Sequence, residues 1–178
     1  MGIYPRLHGI RCAGADQLVL GATEMTSDRR RHWDRVYGTK SSLEVSWYQS
    51  TPETSLRLIG DAGLARDDAI IDAGGGASTL VDHLLEGGYS DVTVLDVARN
   101  GLEQAQHRLG PRAAAANWIV DDVLAFEPAR AYRLWHDRAV LHFLRDTAVR
   151  ERYVEVLRDA LAKGGRMVMA TFGPEGPL

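Results

Sequence analysis

The run Ile70-Ile71-Asp72-Ala73-Gly74-Gly75-Gly76-Ala77-Ser78-Thr79-Leu80 decides how the rest of the chain is read. Apolar residues lead into an aspartate, three glycines follow, and an apolar pattern resumes at Leu80. Glycine triplets make poor helix and poor strand, because bare backbone loses the most conformational freedom on ordering. Uncovered backbone is therefore required here, between two ordered elements. Residues 69–73 read as a short buried strand. Residues 78–86 carry Leu80, Val81, Leu84 and Leu85 at helical spacing and stop at Gly87-Gly88.

The same alternation extends downstream. "DVTVLD" (91–96) reads as a strand, and 100–109 as a helix with Leu102, Ala105 and Leu109 aligned, ending at Gly110-Pro111. "NWIVDD" (117–122) and "YRLWHD" (132–137) are two more strands. Asp146 can cap a helix with Val149, Tyr153, Val156, Leu157 and Ala160 on one face, closed by Gly164-Gly165. Residues 166–172 form a last strand, with Val168 facing opposite to Met167 and Met169. This pattern predicts an α/β, doubly wound parallel sheet of about five strands with helices on both faces. Upstream, 26–38 reads as a short helix with Trp33, Val36 and Tyr37 on one side, and 43–50 as an extended or loop segment. Thr51 and Pro52 fit the N-cap and first position of a helix continued by Leu56, Ile59 and Leu64.

The 178 residues suit one domain with a substantial core. A net charge of −3 gives no bulk attraction to nucleic acid. The single Cys12 excludes an internal disulfide and fits a reducing compartment. No apolar run reaches the roughly 20 residues needed to span a bilayer, and the N-terminus lacks a signal-peptide core, so a cytoplasmic location and no membrane partner are expected. Residues 1–24 show no sustained period and read as an irregular N-terminal extension; Met25 reads as a natural start, with the domain over 25–178. Arg29-Arg30-Arg31 reads as a solvated helix face.

In a doubly wound sheet, ligands sit outside the carboxyl ends of the strands where strand order reverses. Gly74, Gly75 and Gly76 there let backbone approach a ligand, although a simple turn would also use glycine. Asp96 ends the second strand, where an exposed carboxylate can accept both hydroxyls of a ribose. Asp121-Asp122 ends the third, where a carboxylate can accept from an adenine amino group while the Val123 N–H donates to the ring. Each acid alone reads equally as a loop acid or helix cap. Three strand ends converging on one adenosine-shaped space point to an adenosine cofactor. The dinucleotide fingerprint G-x-G-x-x-G lacks its last glycine here. Asp72, Gly74, Gly76 and Ser78 instead match a looser D-x-G-x-G-x-S turn suited to S-adenosylmethionine, which carries no phosphate.

On these motifs, the region from about His32 onward resembles the class I S-adenosylmethionine-dependent methyltransferases, with a Rossmann-like fold. "IIDAGGGAS" resembles their glycine motif, "VTVLDVA" their ribose-binding strand end, and "IVDDVLAF" their adenine-binding segment. "HWDRVYG…VSWYQS…SLRLI" and "LWHDRAVLHFL" resemble the branch with protein-lysine and thiopurine methyltransferases. The resemblance implies S-adenosyl-L-methionine as cofactor, held by Asp72, Gly74, Gly75, Gly76, Ser78, Asp96, Val97, Asp122 and Val123. It implies that Trp47 and Tyr48 help close the pocket, with Asp137 and Arg138 at its mouth. Ser78 stands where the family has a third glycine. The two strands that follow "ATF" in the family are absent, so a C-terminally incomplete domain is expected, with weak activity and self-association through its exposed last strand.

Methyl transfer is an in-line displacement at a carbon already activated by its sulfonium, so alignment and water exclusion dominate. An amine or thiol acceptor also needs a base, for which Asp137 and His142 are the candidates. Asp137 reads equally as a cap for the next short helix, whereas His142 reads more readily as a packed histidine beside Leu141 and Phe143. His32, His83 and His107 have no paired ligand spacing, so no metal is expected. Trp33, Trp118 and Trp135 read as core. The expected partner is a methyl acceptor, either a protein lysine or a small molecule with an N, S or O nucleophile. The alternatives are an NAD-type oxidoreductase and a catalytically empty binding module.

Overall fold

The computed structural model describes residues 15–39, 48–138 and 140–171. Residues 1–14, Trp47 and Phe172 onward, on which some expectations fall, lie outside them. The helices are α1 (Ala15–Thr39), α2 (Glu53–Asp61), α3 (Leu80–Glu86), α4 (Arg99–Leu109) and α5 (Thr147–Ala160). The strands are β1 (Ile70–Ala73), β2 (Val92–Asp96), β3 (Ala116–Val120), β4 (Tyr132–Arg138) and β5 (Leu161–Ala170). They form one parallel sheet in the order β3-β2-β1-β4-β5. Strand order therefore reverses between β1 and β4. Register sets Ala73 beside Leu95 and Asp137, and Asp96 beside Val120, so four carboxyl ends meet at one rim.

Alternate residues feed two cores, as the period of a strand requires. Ile70, Val92, Val94, Leu134 and Val168 pack with Ile59, Leu80 and Leu102 from α2, α3 and α4. Ile71, Leu95 and Trp135 pack on the other face with Tyr153, Val156 and Ala160 from α5. Both faces are covered, which explains why β1 and β2 are buried along their whole length.

Three expected boundaries move. The helix around Trp33 begins at Ala15, so helical backbone crosses the expected break at Met25 and residues 15–24 are not irregular. Helical hydrogen bonds are local, and an apolar period reports packing rather than helicity. Helix α2 starts at Glu53, with Pro52 at its N-cap and no side-chain cap, one residue later than Thr51 as cap implied. Helix α5 is capped as expected by Asp146, which accepts from the N–H groups of Ala148 at 2.8 Å and Val149 at 3.3 Å. It then passes straight into β5 at Leu161, so Gly164-Gly165 lies inside the strand rather than closing the helix. The pairing shifts register between Tyr132 and Leu134 opposite this stretch, and Gly164 has φ +75°. The glycines thus form a bulge, a use that looks identical to a C-cap in sequence. Strand β5 lies at the outer side of the sheet; Val168 is buried and Met167 is 46 % exposed.

Candidate functional site

The glycine loop is the floor of the rim. Gly74 and Gly75 both donate to the Leu95 carbonyl, at 2.7 and 3.2 Å, which pins the turn to the end of β2. Gly74 and Gly76 have φ of +71° and +44°, where a Cβ is strained. A Cβ at Gly74 would run into the Val140 side chain. At Gly75 it would meet Asp72 Oδ2 at 2.7 Å, and at Gly76 the Tyr37 hydroxyl at 2.5 Å. All three positions therefore need glycine for space. The loop closes through Ser78 N–H to the Gly75 carbonyl at 2.7 Å, and Ser78 Oγ accepts from Leu80 N–H at 3.2 Å.

The acids stand where the strand ends put them, but they are less open than expected. Asp96 is only 8 % exposed, under Tyr37, rather than an exposed strand-end carboxylate. One of its oxygens accepts from Ala98 N–H at 2.7 Å. Burial, with the nearby Asp72 charge adding to it, pushes the Asp96 carboxyl up to about 7. Sequence patterning shows that a residue is at a strand end; it does not show that a helix from earlier in the chain lies over it. Val97, next in line, is half-buried.

Asp122 is buried at the end of β3. One oxygen accepts from Leu124 N–H at 3.0 Å, and the other from Arg29 Nε and Nη2 at 3.0 and 2.5 Å. Arg29 is thus drawn out of the expected solvated face, while Arg30 and Arg31 remain exposed. Val123 is half-buried beside it. If Asp122 accepts from an adenine amino group and Asp96 from ribose hydroxyls, Asp122→Asn, which retains one acceptor oxygen and the shape, should lower adenosine affinity by about threefold to tenfold, less than loss of the Asp96 carboxylate. Titration with S-adenosylhomocysteine checks the ranking; a larger loss at Asp122 would reverse the two roles.

Asp137 is fully buried and does not stand at a mouth. Its Oδ1 accepts from Val140 N–H at 2.9 Å, and its Oδ2 accepts from the Tyr153 hydroxyl at 2.5 Å, which in turn accepts from Trp135 Nε1 at 3.0 Å. Burial raises its pKa against these hydrogen bonds. Asp137 thus braces the turn before the short helix Leu141–Phe143 rather than capping it, since the N-cap is Val140 without a side-chain cap bond. A carboxylate so enclosed is poorly placed to serve as an acceptor's base. Arg138 ends β4, half-buried. His142 is half-buried on the turn Leu141–Phe143; burial lowers its pKa, with the Asp137 charge opposing. Its ring lies 4.1 Å from that of Phe143, which meets Trp33 edge-on at 5.0 Å. Of the expected core tryptophans, Trp135 is fully buried, while Trp118 and Trp33 are partly so.

The segment carrying Tyr48 is tied to the loop's far side. Thr79 Oγ1 donates to the Gln49 carbonyl at 2.8 Å, and His83 Nε2 is 3.0 Å from the Ser50 carbonyl. Half-buried Tyr48 therefore sits next to the helix that follows the glycines.

Several residues of the rim were not singled out as site residues. Arg108 of α4 donates to the Ala77 and Ser78 carbonyls at 2.9 and 2.7 Å and pairs with Asp82, clamping the loop from below. Tyr37 roofs Gly76, and Gly101 lets α4 approach it. His136 is buried between Asp72 and Ser55. Only the pairing of "WHD" with a strand end hinted at His136; the others depend on long-range packing.

Residues 70–165 match the methyltransferase domain family, and the chain belongs to it. Its fold is that of the class I S-adenosylmethionine-dependent methyltransferases. Among solved structures, the glycopeptide N-methyltransferase MtfA superposes with a TM-score of 0.60 at 17% identity, covering 70% of this chain and 54% of that one. The N-methyltransferase NodS from Bradyrhizobium japonicum WM9 gives 0.57 at 24% identity, covering 66% and 64%. A TehB-like S-adenosylmethionine-dependent methyltransferase from Corynebacterium glutamicum gives 0.59 at 20%, covering 88% and 77%. The chain spans about half the length of MtfA. No curated protein matched it. Among the described residues no helix is long and apolar enough to cross a membrane.

Proposed function

We propose that this chain binds S-adenosylmethionine at the β1–β2–β3 rim and methylates a nitrogen of a small-molecule amine. The observation that carries this reading is the cradle itself. The three consecutive glycines turn so tightly between β1 and α3 that a Cβ would clash with Val140 at Gly74, with Val94 and Asp72 at Gly75, and with Tyr37 at Gly76. This brings bare backbone to the rim beside Asp72 and Asp96. Asp72 Oδ2 is buried with no hydrogen-bond partner among the described residues, which suits a cationic or N–H-bearing ligand above the loop. The Thr79 position, where a dinucleotide site has its last glycine, is used here to hold the 48–50 segment. That favours S-adenosylmethionine over NAD.

Bound S-adenosylmethionine supplies a methyl group on a positively charged sulfur. In this reading Asp96 holds the ribose hydroxyls and Asp122 the adenine amino group, while the glycine backbone and Asp72 receive the amino-acid tail. Trp33, Phe143 and His142 form an aromatic edge near the carboxyl ends of β1 and β4. Such an edge favours an amine approaching in its cationic form. His142, whose pKa burial lowers, is then the base that takes the amine's proton, after which the nitrogen lone pair forms a bond to the methyl carbon as the carbon–sulfur bond breaks. The N-methyltransferases MtfA and NodS share the fold, which agrees with a nitrogen acceptor.

Asp96 gives the site a pH dependence of known sign. Its folded pKa, about 7, is above the ordinary carboxylate value. The stability tied to its protonation is therefore fully present below the ordinary value and lost as pH rises through about 7. Cofactor affinity runs the other way, because ribose hydroxyls need the ionised carboxylate. Affinity for S-adenosylhomocysteine should climb by up to about tenfold per unit below pH 7 and level off above it. Asp96→Asn should flatten that profile.

The enzymatic claim is tested by incubating the chain with methyl-labelled S-adenosylmethionine and a panel of primary and secondary amines, thiols and a lysine-containing peptide. Label transfer to small amines supports the reading. Transfer confined to the peptide or the thiols would replace the acceptor class.

A further inference from the structure

Three residues far apart in sequence meet behind the glycine loop. His136 of β4 and Asp72 of β1 are paired across the sheet, and His136 Nδ1 lies 2.7 Å from Asp72 Oδ1. On its other side His136 Nε2 is 2.9 Å from Ser55 Oγ on α2. Ser55, Asp72 and His136 are 5, 2 and 1 % exposed. The atoms are those of a nucleophilic triad, but the hydroxyl is buried on the inner face of α2. A nucleophile that no substrate can reach is not a nucleophile.

We infer that His136, steadied by Ser55, is a positioning residue that fixes the Asp72 carboxylate with Oδ2 toward the glycine loop. A buried aspartate at the end of β1 could turn about its side-chain torsions, and each orientation would present the cofactor tail with a different oxygen. Holding Oδ1 against an imidazole removes that freedom. The orientation held is the one in which Oδ2 lies where a Cβ on Gly75 would meet it, at 2.7 Å, with no partner among the described residues. Second-layer hydrogen bonds of this kind set the orientation of a ligand-binding group without touching the ligand. The imidazole also places a donor beside Asp72 in a region that already holds the Asp96 carboxyl, whose environment includes the Asp72 charge. Ser55 is in the first turn of α2, so the relay further couples the seating of α2 to the first acid of the site.

This inference rests on the cofactor reading above, and the experiment separates the two. Affinity for S-adenosylhomocysteine is measured by calorimetry for the 178-residue chain and for His136→Leu, His136→Asn, Ser55→Ala, Asp72→Asn and the double variant His136→Leu/Asp72→Asn, with thermal melts in parallel. Asparagine keeps a donor near the Nδ1 position, whereas leucine keeps the volume alone. His136→Leu should weaken binding about tenfold or more, as loss of a hydrogen bond to a charged group implies. His136→Asn should recover most of it, and Ser55→Ala should lose about threefold. In the double variant the losses should be far from additive, because both act through one carboxylate. Equal binding by His136→Leu and the parent chain would overturn the relay while leaving the cofactor site intact. Additive losses, or equal losses in His136→Leu and His136→Asn that follow the melting temperatures, would reduce His136 to a packing role and overturn it as well. If the leucine variant does not fold, Ser55→Ala with Asp72→Asn decides by the same additivity criterion. A parent chain that binds no S-adenosylhomocysteine would overturn the cofactor reading and this one with it.

Discussion

Replacement of Asp96 by alanine is expected to lower affinity for S-adenosylhomocysteine by about 100-fold or more, with the fold retained. Two hydroxyl-to-carboxylate hydrogen bonds at roughly 1.5–3 kcal/mol each give that range. The measurement is a direct titration at pH 8, where the carboxyl pushed up to about 7 is ionised. The variant also strips the Ala98 N–H of its 2.7 Å acceptor, which costs about 1 kcal/mol of stability. It removes, however, an acid whose ionised form is disfavoured by burial, so above pH 7 the net change in melting temperature should be small. Affinity within threefold of the parent chain would show that Asp96 holds nothing.

Gly74→Val should be the most disruptive single change at the loop. Valine at φ +71° is strained by about 1–2 kcal/mol or more, and its Cβ would occupy the space of the Val140 side chain. Overpacking adds about 1–3 kcal/mol, so a loss of roughly 2–5 kcal/mol in unfolding free energy is expected by denaturant titration. Because Gly74 N–H anchors the turn to the Leu95 carbonyl, cofactor binding should disappear in whatever fraction remains folded. A variant with parental stability and affinity would mean that the loop can shift freely, and that its glycines serve only to turn the chain.

The fold was legible in the sequence because both of its signals are local. Apolar runs of strand length, separated by helical spacing, implied a parallel sheet, and the order β3-β2-β1-β4-β5 places the glycine loop at the reversal. The placement of three acids was legible for the same reason: strand ends in a parallel sheet are neighbours, so Asp72, Asp96 and Asp122 share a rim. What sequence could not show was depth. Asp96 was expected to be exposed and Asp137 to stand at the mouth, yet Tyr37 covers one and Tyr153 binds the other. Tyr37 belongs to a helix far upstream of Asp96, and Tyr153 to the helix after β4, and the approach of either depends on packing rather than on local pattern. The Arg29–Asp122 and His136–Ser55 contacts were hidden for the same reason. Gly164-Gly165 shows the converse limit: a local signal was plain, but helix end and strand bulge share it.

The central claim is that the glycine cradle and its acids hold the adenosine and amino-acid tail of S-adenosylmethionine. Calorimetry of the 178-residue chain at pH 8 against S-adenosylhomocysteine, and separately against NAD, tests it most directly. The expected result is saturable one-to-one binding of S-adenosylhomocysteine, lost in Asp96→Ala, with no heat from NAD. Binding of NAD in preference, or S-adenosylhomocysteine binding that is indifferent to Asp96, would contradict it.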